Sequence, residues 1–413
     1  MPSPQIQLSN RGSHLVSHPP MDEYATQHTV RQADVDVSDP GRYIGLAIAE
    51  NNLVWDLLEA RLNQTRGVTA DNVVYDDMAG SERFRQAIAD FGARHLWNEA
   101  IDPSHIVALA GGGTILETLF YAIGDPGDGV LIPTPSYASY WADIQTRDGM
   151  RVIPAHMSPS NGFRLETDVL EQAFVTSPAE IRALLLTNPS NPTGQISSGA
   201  EIEQCVAWAR SKNIHIIMNE VYALSVFGDE PFVSATQLVA DPNHDMHFIW
   251  AFSKDFAMSG LRAGVLMSRN EQVIAAVREL AYWGAISGDT QHLLTSLIED
   301  DIFVENFLSE MRRRLASAYE KATTALTVAD IPFVPGGAGL FVVCDFRNYI
   351  VEQTWESEDA LWHRFLDEAN VNLTPGSSCH IRTPGFMRLC FAAEPGDVVE
   401  TAIQRIGVLL SRR

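Results

Sequence analysis

From about residue 80 onward, segments with helical periodicity alternate with short apolar runs that end near Gly, Asn, Pro or Ser. Such runs, separated by helix-length segments, are typical of strands in a mostly parallel sheet that is buried on both faces. The pattern therefore predicts an α/β fold with helices on both faces of the sheet. Ligands of such sheets bind beyond the carboxyl ends of the strands. The six runs cover residues 106–110, 129–133, 183–187, 214–218, 248–252 and 263–267.

The pattern changes after about residue 300, where long helices are followed by two apolar strands near residues 339–344 and 386–391. This predicts a second, smaller α+β domain. We expect three parts, listed here with their residues: an irregular amino-terminal arm (1–40), a large domain (81–300), and a small domain built from two segments (41–80 and 301–413).

Composition narrows the class of protein. The chain has 413 residues, 46% of them hydrophobic, which is enough for one large or two moderate domains. The formal net charge of −23 argues against nucleic acid or an anionic membrane as a partner. No apolar run approaches the roughly 20 residues that span a bilayer. The first 20 residues lack the charged-then-apolar pattern of a signal peptide.

The cysteines bear on the cellular compartment and on metal binding. Four cysteines lie far apart in the sequence without the spacing of a metal site: Cys205, Cys344, Cys379 and Cys390. Unpaired thiols of this kind are typical of a reducing compartment. We therefore expect a cytoplasmic protein without a metal centre.

Lys254 is one of only three lysines in the chain, the others being Lys212 and Lys321. It lies in a mostly apolar, glycine-punctuated segment that also contains Arg262. Lysine can form a Schiff base and arginine cannot, and the pKa of a lysine falls when its amine is desolvated or lies near another cation. Because the guanidinium of Arg262 suits a phosphate, the pair indicates pyridoxal 5'-phosphate (PLP). A surface lysine at a strand end is the alternative for this motif alone.

A glycine-rich turn lies at the end of the first predicted strand. The motif Ala110-Gly-Gly-Gly-Thr114 precedes a helix expected over residues 115–123. Free backbone N–H groups at a helix start, next to glycines that allow close approach, cradle a phosphate. A turn used only for tight packing is equally compatible with this motif.

Polar residues follow the other predicted strands. Asn191 lies in a doubled Asn-Pro motif that fixes it as a donor, and Asn219 and Tyr222 follow the next run. We expect these side chains to face one crevice. Tyr137 could stack on a flat ring, with a half-buried core aromatic as the alternative. Arg388, on an apolar strand, requires an anion, either a substrate carboxylate or a structural Asp or Glu.

These motifs resemble those of a known family. The chain is similar to PLP-dependent fold-type I enzymes, the class I and II aminotransferase superfamily, over about residues 40–410. More narrowly, it resembles 1-aminocyclopropane-1-carboxylate (ACC) synthases, mainly through the first and last matching blocks. The five blocks are residues 45–58, 84–89, 186–194, 253–262 and 374–391.

The resemblance implies a set of cofactor contacts. Lys254 would hold PLP covalently. Tyr137 would stack on the pyridine ring, and Asn191 and Tyr222 would bond its 3-oxygen. Lys254, Tyr222 and the residue at position 219, Asn219, are the expected catalytic residues. Four residues would hold the phosphate: Gly113, Thr114, Ser253 and Arg262.

The resemblance also implies substrate contacts and an assembly. Arg388 would bind the substrate carboxylate, and Glu50 would lie near the substrate, where its counterpart helps to define specificity. A homodimer is implied, since the sites of this family are completed across the subunit interface.

Three departures from the family pattern stand out. The family has aspartate where this chain has Asn219; that carboxylate keeps the ring nitrogen protonated, whereas an amide can only hydrogen-bond. Either the chemistry of this chain differs, or the amide is a substitution that traps an intermediate. Met78 replaces a tyrosine of ACC synthases, and Tyr75 is placed to take over its phosphate contact from the partner subunit. Ala251 replaces a common serine, which removes one phosphate ligand.

Three functions fit these features. The first is an ACC-synthase-like lyase acting on S-adenosylmethionine, or its variant, a γ-replacement enzyme that adds a second substrate. The departures at Met78 and Asn219 favour the variant. The second function is an aminotransferase that uses a 2-oxo acid. The third, a non-catalytic PLP-binding or regulatory protein, is supported by neither a DNA-binding extension nor a basic patch.

Overall fold

The computed structural model describes residues 7–33, 35–239 and 244–412. Its strands, in chain order, are β1 (Ile44–Gly45), β2 (Ile106–Leu109), β3 (Gly129–Thr134), β4 (Arg151–His156), β5 (Ile181–Thr187), β6 (His215–Asn219), β7 (Met246–Ala251), β8 (Gly264–Ser268), β9 (Phe333–Val334), β10 (Phe341–Asp345), β11 (Val371–Asn372), β12 (Thr374–Pro375) and β13 (Phe386–Cys390).

The α-helices of the described residues lie between and around these strands. In chain order they are α1 (Asn10–Ser17), α2 (Glu23–Gln32), α3 (Trp55–Thr65), α4 (Glu82–His95), α5 (Gly112–Ile123), α6 (Tyr140–Gln145), α7 (Thr167–Thr176), α8 (Gly199–Ser211), α9 (Ala235–Leu238), α10 (Phe252–Asp255), α11 (Glu271–Leu280), α12 (Gly288–Ile298), α13 (Asp301–Val328), α14 (Trp355–Asp367) and α15 (Gly396–Leu410).

Seven strands form one large sheet with the order β2-β8-β7-β6-β5-β3-β4. The five strands from β7 to β4 in this order run parallel to their neighbours. β8 is antiparallel to both β7 and β2. The predicted mostly parallel α/β sheet is therefore confirmed.

All six predicted apolar runs form strands of this sheet, whereas β4 was not predicted. β4 lies at the edge of the sheet and pairs only with β3. Its Arg151 is exposed, and Val152 and Ala155 are the buried positions. β4 is covered less completely than β2, the strand at the other edge, whose four residues are all buried, so β4 lacks the continuous apolar run that marks the predicted strands.

The central strands place their side chains in two cores, one on each face of the sheet. In β7, Trp250 packs with Phe91 on one face. The adjacent Ile249 packs with Leu119 and Leu266 on the other face. Successive residues of a strand point to opposite faces, so a strand buried on both faces needs apolar residues throughout.

A four-stranded antiparallel sheet with the order β12-β13-β10-β9 forms the smaller α+β part. β10 and β13 are the two strands predicted near the carboxyl terminus, and both are confirmed. The early strand β1 pairs in parallel with β11, which brings residues 44–45 beside residues 371–372. The division into domains with the boundaries given above stays a prediction.

The prediction of an irregular arm over residues 1–40 is wrong for the part that the structure describes, because this part contains α1 and α2. Ser9 caps α1 by accepting a hydrogen bond from the Gly12 N–H at 3.1 Å. Tyr24 and Ala25 of α2 are buried against the rest of the protein. Asn372 also donates to the Tyr24 carbonyl at 2.8 Å. Tertiary contacts, which the sequence of a short polar segment does not reveal, stabilise α2, whereas α1 buries none of its residues.

The longest helix, α13, has 28 residues and carries charged side chains along much of its length. Within the described ranges, no helix combines the length and the apolar character needed to cross a membrane.

Candidate active site

A cavity of about 370 Å³ lies beyond the carboxyl ends of β5, β6 and β7, which are neighbours in the large sheet. The last residues of these strands, Thr187, Asn219 and Ala251, line it. The amino end of α5 contributes Gly112 and Gly113 from another side. This is the position expected for a ligand of a parallel sheet.

Lys254 reaches this cavity from α10, directly after β7. Its Nζ donates a hydrogen bond to the carbonyl oxygen of Ala49 at 2.6 Å. Burial of the amine, reinforced by the positive charge of Arg388, lowers the pKa of Lys254 from 10.5 to about 8. A lysine with a lowered pKa is suited to attack an aldehyde, because the neutral amine is the nucleophile.

One end of the cavity fits a phosphate. Gly111 has a φ of +99°, and a Cβ at this position would lie 2.6 Å from Nη2 of Arg262. Only glycine therefore lets the guanidinium lie against the turn. Gly113 and Ser253 line the cavity beside Arg262. The free N–H groups of the first turn of α5 and the guanidinium together suit a dianion.

Thr114 does not line this cavity. Its hydroxyl donates to the carbonyl oxygen of Ala110 at 3.0 Å, within the same turn. The residue lines a separate pocket of about 360 Å³ with Leu280 and Trp283. The phosphate contact assigned to Thr114 by resemblance stays a prediction, and its side chain is engaged elsewhere in this subunit.

The residues expected around the pyridine ring lie together. Tyr137, Asn191 and Tyr222 all line the cavity. Asn191 Nδ2 donates to the Tyr222 hydroxyl at 3.5 Å, and burial raises the pKa of Tyr222. The ring of Tyr137 meets that of Tyr140 edge to face, with centroids 5.3 Å apart. Tyr137 is thus held on one side and offers its surface to the cavity.

Arg388, on β13, extends toward Asn191 from the small sheet. Its Nη1 donates to Asn191 Oδ1 at 3.0 Å, and its Nη2 donates to Thr374 Oγ1 at 3.0 Å and to the Ala47 carbonyl. Arg388 is 3% exposed, and its Nε is buried without a hydrogen-bond partner. No carboxylate of the described residues lies within 4.0 Å of this guanidinium. A structural Asp or Glu partner is therefore not found there.

Glu50 lies close to Lys254, since its negative charge opposes the lowering of the Lys254 pKa. Its Oε1 accepts a hydrogen bond from the Ser259 hydroxyl at 2.9 Å. Ser259 lines the cavity, so this bond links Glu50 to the cavity wall. The position fits the expected contact with a substrate.

Asn219, at the end of β6, is 6% exposed and hydrogen-bonded. Its Nδ2 donates to the Tyr140 hydroxyl at 2.7 Å, and that hydroxyl lies 2.6 Å from Thr187 Oγ1. All three residues line the cavity. The amide therefore lies where the strand order predicts it, within a network of hydroxyl groups.

The residues of the other two departures lie in different places. Tyr75 is 94% exposed and does not line the cavity of its own subunit. Met78 packs against the core on one face of the large sheet. Ala251 lines the cavity without a hydroxyl, as its sequence indicates. A contact from Tyr75 to the site of another subunit stays a prediction.

Several residues of the cavity wall were not predicted. Tyr140 and Asp143 come from α6, and Pro20 and Met21 come from the segment between α1 and α2. Burial, together with the charge of Glu117, raises the pKa of Asp143 to about 6. Tyr140 could have been predicted, because it lies after β3 and only three residues beyond Tyr137. The other residues lie in no recognisable motif.

The fold and the cavity define a class of protein. A lysine with a lowered pKa, a glycine-rich helix start beside an arginine, and an aromatic side chain at the carboxyl edge of this sheet are the features of a PLP-dependent enzyme of fold type I. Within the described ranges, no group of three or more His, Cys, Asp or Glu side chains is arranged to hold a metal ion. The chain belongs to the family "Aminotransferase class I and II", whose model matches residues 44–406.

Curated relatives include ACC synthases of plants. The chain is 34% identical to 1-aminocyclopropane-1-carboxylate synthase 9 of Arabidopsis thaliana over 392 residues, which cover 90% of this chain and 83% of that protein. It is 32% identical to 1-aminocyclopropane-1-carboxylate synthase of Malus domestica over 393 residues, with 90% and 83% covered. The resemblance to this family is confirmed.

Solved structures confirm the fold. Aspartate aminotransferase of Thermus thermophilus with maleate superimposes with a TM-score of 0.81 at 22% identity, covering 98% of this chain and 100% of that one. Aspartate aminotransferase of Thermotoga maritima gives a TM-score of 0.80 at 26% identity, with the same coverage.

Proposed function

We propose that the protein uses PLP to act on S-adenosylmethionine, either by ACC-synthase-like γ-elimination with ring closure or by γ-replacement with a second substrate. Two observations, one in the cavity and one directly behind its wall at Asn191, carry this proposal. Lys254 offers an amine of lowered pKa in the cavity, and Arg388 offers a buried guanidinium without a carboxylate partner among the described residues. The similarity to ACC synthases over 90% of the chain supports the choice of substrate.

The residues present fit the cofactor. We propose that Lys254 attaches it, that Tyr137 stacks on its ring, and that Asn191 and Tyr222 bond its 3-oxygen. We also propose that Asn219 contacts the ring nitrogen. When bound, PLP withdraws electrons from Cα of an attached amino acid and so acidifies that carbon. The proposed phosphate ligands are Gly113, Thr114 through its backbone, Ser253 and Arg262.

The chain's own groups would then orient the substrate and move its proton. Arg388 holds the substrate carboxylate, and Glu50 faces the remainder of the substrate. The amine of Lys254 accepts the Cα proton, which leaves an electron pair on Cα. In ring closure this pair forms a bond to Cγ. The Cγ–S bond breaks, and its electrons leave with the sulfur of methylthioadenosine.

In γ-replacement a proton is also removed from Cβ, so the Cγ–S bond breaks while a Cβ–Cγ double bond forms, and the sulfur leaves with the electrons of its bond. A nucleophile of the second substrate then adds to Cγ as a proton returns to Cβ. The Cα proton then returns from Lys254 to carbon. The amide at Asn219 and the thioether at Met78 support this variant over an ACC synthase, because both replace residues that the family uses around the cofactor.

Mass spectrometry of the products after incubation with S-adenosylmethionine tests the proposal. Release of methylthioadenosine is expected. Addition of candidate nucleophiles then separates ring closure from replacement, because only replacement consumes a second substrate. If the protein neither releases methylthioadenosine nor forms a 2-oxo acid, catalysis on this substrate is refuted and the non-catalytic alternative gains support.

An aminotransferase is the second candidate. The similarity to aspartate aminotransferase of Thermotoga maritima at 26% identity favours it. In this case the amino group passes to a 2-oxo acid, and the sulfur stays attached to the substrate carbon. Formation of a 2-oxo acid without methylthioadenosine in the same experiment would therefore favour transamination.

We further propose a homodimer in the cytoplasm. Aromatic and apolar side chains are widely exposed on the isolated subunit, which supports burial against a second copy. The exposed fractions are 94% for Tyr75, 61% for Tyr121, 68% for Tyr282 and 72% for Trp283. All four cysteines are buried and unpaired, which fits a reducing compartment.

A further inference from the structure

The hydrogen bonds around Asn219 involve groups from α6, from the end of β5 and from the residues that follow β6. Tyr140, in α6, is 1% exposed, and its hydroxyl accepts from Asn219 Nδ2 at 2.7 Å. The same hydroxyl lies 2.6 Å from Thr187 Oγ1 at the end of β5. On its other side, Asn219 Oδ1 accepts from the backbone N–H of Val221 at 3.4 Å. The amide is therefore held at both ends.

The donor and acceptor roles follow from the chemistry of these groups. A backbone N–H can only donate, so the N–H of Val221 assigns the oxygen of Asn219 to its own side. The NH₂ group must then face Tyr140, whose hydroxyl accepts one of its two hydrogens. The Tyr140 hydroxyl keeps its own hydrogen, which it can donate to Thr187 Oγ1 at 2.6 Å. The second N–H of the Asn219 amide has no hydrogen-bond acceptor among the described residues. Because Asn219 lines the cavity, this N–H is available to a ligand there.

We infer that Tyr140 is a positioning residue, because it fixes the orientation of the Asn219 amide. In this orientation a donor N–H, and no negative charge, faces the pyridine nitrogen of PLP. The site therefore holds that nitrogen unprotonated. The inference rests on the proposed function for the placement of PLP in this cavity. An unprotonated ring nitrogen accepts the hydrogen bond that the amide offers, whereas a protonated one would place two donors against each other.

The same hydroxyl pair suits a carboxylate when its hydrogen bonds reverse. An aspartate at position 219 only accepts, so Tyr140 would donate to it and Thr187 would donate to Tyr140. Asn219→Asp should therefore protonate the ring nitrogen without losing its contact with Tyr140. The direction of the hydrogen bonds among these three side chains thus depends on the residue at position 219, while their positions depend on Tyr140.

The test uses holoenzyme loaded with PLP that carries ¹⁵N in the ring, and it measures the ¹⁵N chemical shift as a function of pH. The wild-type protein is expected to show an unprotonated ring nitrogen at neutral pH, and Asn219→Asp a protonated one. Tyr140→Phe frees the amide to turn, so the protonation equilibrium of the ring should change by about fivefold, the equivalent of one neutral hydrogen bond. Thr187→Val should change the protonation equilibrium of the ring in the same direction as Tyr140→Phe. Thr187→Ser should retain the ¹⁵N chemical shift of the wild-type protein.

Tyr43→Phe is the matched control. Tyr43 is a buried tyrosine whose hydroxyl accepts from Asn372 Nδ2 at 3.0 Å, and neither residue lines the cavity. Tyr43→Phe removes the same kind of hydrogen bond as Tyr140→Phe, but it does so at a residue that does not line the cavity. The ¹⁵N signal of the ring should therefore stay unchanged. A protonated ring nitrogen in the wild-type protein overturns the inference, and so does a Tyr140→Phe signal that equals that of Tyr43→Phe.

Failure of this inference is distinguishable from failure of the proposed function. Borohydride reduction of the same samples reports whether the cofactor is attached to Lys254. If no cofactor is attached there, the proposed function fails. If it is attached and the ring nitrogen is protonated, only the role of Asn219 and Tyr140 is refuted.

Discussion

The part of the cavity proposed to hold the cofactor and the region around Arg388 proposed to hold the substrate differ in how their polar groups are paired. On the cofactor side, Asn219, Tyr140 and Thr187 bond to one another, and Asn191 bonds to Tyr222. On the substrate side, the guanidinium of Arg388 bonds only to neutral oxygens, and its Nε has no partner in the described structure.

The difference shows what each side is built to do. Paired groups keep their positions before anything binds, so the cofactor side is preorganised. A buried cation without an anion is costly, and a substrate carboxylate removes that cost when it binds. We therefore expect changes on the two sides to affect different steps.

Removing one arginine from each of the two parts should separate their proposed roles most clearly. Arg388→Ala should leave PLP bound and raise KM by roughly 10- to 150-fold, the equivalent of about 1.5–3 kcal/mol for a hydrogen bond to a charged group. Arg262→Ala should do the reverse, with weaker retention of PLP during dialysis and little change in KM once PLP is saturating.

Steady-state kinetics and the absorbance of bound PLP measure both effects. Thermal unfolding of each variant serves as the control, because Arg388 is buried and its loss could destabilise the fold. An Arg388→Ala protein that folds and binds the amino acid normally would refute the proposed carboxylate site.

Asn219→Asp tests the proposed cofactor part alone, because it changes only the charge beside the cofactor. A carboxylate would form a charged hydrogen bond to a protonated ring nitrogen, where the amide forms a neutral one. The difference of about 1–2 kcal/mol predicts a rise of about tenfold in the rate at which the Cα proton exchanges with deuterated solvent. Proton NMR of the substrate measures this rate. An unchanged rate means that Asn219 is not beside the ring nitrogen or that another group protonates it.

The pKa of Lys254 predicts how fast the apoprotein takes up PLP at different pH values. The free amine, with a pKa of about 8, is the attacking form. Its neutral fraction rises from about one-tenth at pH 7 to about one-half at pH 8, so the attachment rate should rise about fivefold over that interval. Stopped-flow absorbance records the rate. A profile that continues to rise as for an ordinary lysine, with no midpoint near 8, would contradict the lowered pKa.

The smallest expected effect concerns Tyr75. If it reaches the phosphate of a second subunit, Tyr75→Phe should weaken PLP binding only a few-fold, the loss of one hydrogen bond. Tyr282→Phe is the control, as an exposed tyrosine of the same subunit. A hybrid dimer of Tyr75→Phe and Lys254→Ala subunits should regain normal binding at its single competent site. Sedimentation that shows a fully active monomer would exclude the dimer.

The buried elements of the fold could be predicted from the sequence, and the partly exposed ones could not. The central strands β7 and β8 are fully buried and mostly apolar because both of their faces are covered. β4, at the sheet edge, and α2, near the amino terminus, are stabilised by contacts that leave no continuous apolar pattern, and α1 has no buried residue at all. Their formation depends on tertiary packing more than on local sequence.

The same distinction holds at the site. Lys254 could be named because lysine is rare in this chain, and Arg262 because it follows in the same recognisable motif. The contact between Asn219 and Tyr140 joins residues that lie 79 positions apart, and no local pattern encodes it. Thr114 illustrates the reverse situation, because its motif predicts a phosphate contact, which stays a prediction, while its hydroxyl donates to the Ala110 carbonyl.

Borohydride reduction of the protein with PLP, followed by peptide mapping, tests the central claim most directly. The reduced cofactor should be found on Lys254 alone, because its amine has a lowered pKa and lines the cavity. Lys212, which pairs with Glu171, and Lys321 are internal controls within the same digest. A label on either of these lysines, or no label at all, would contradict the account.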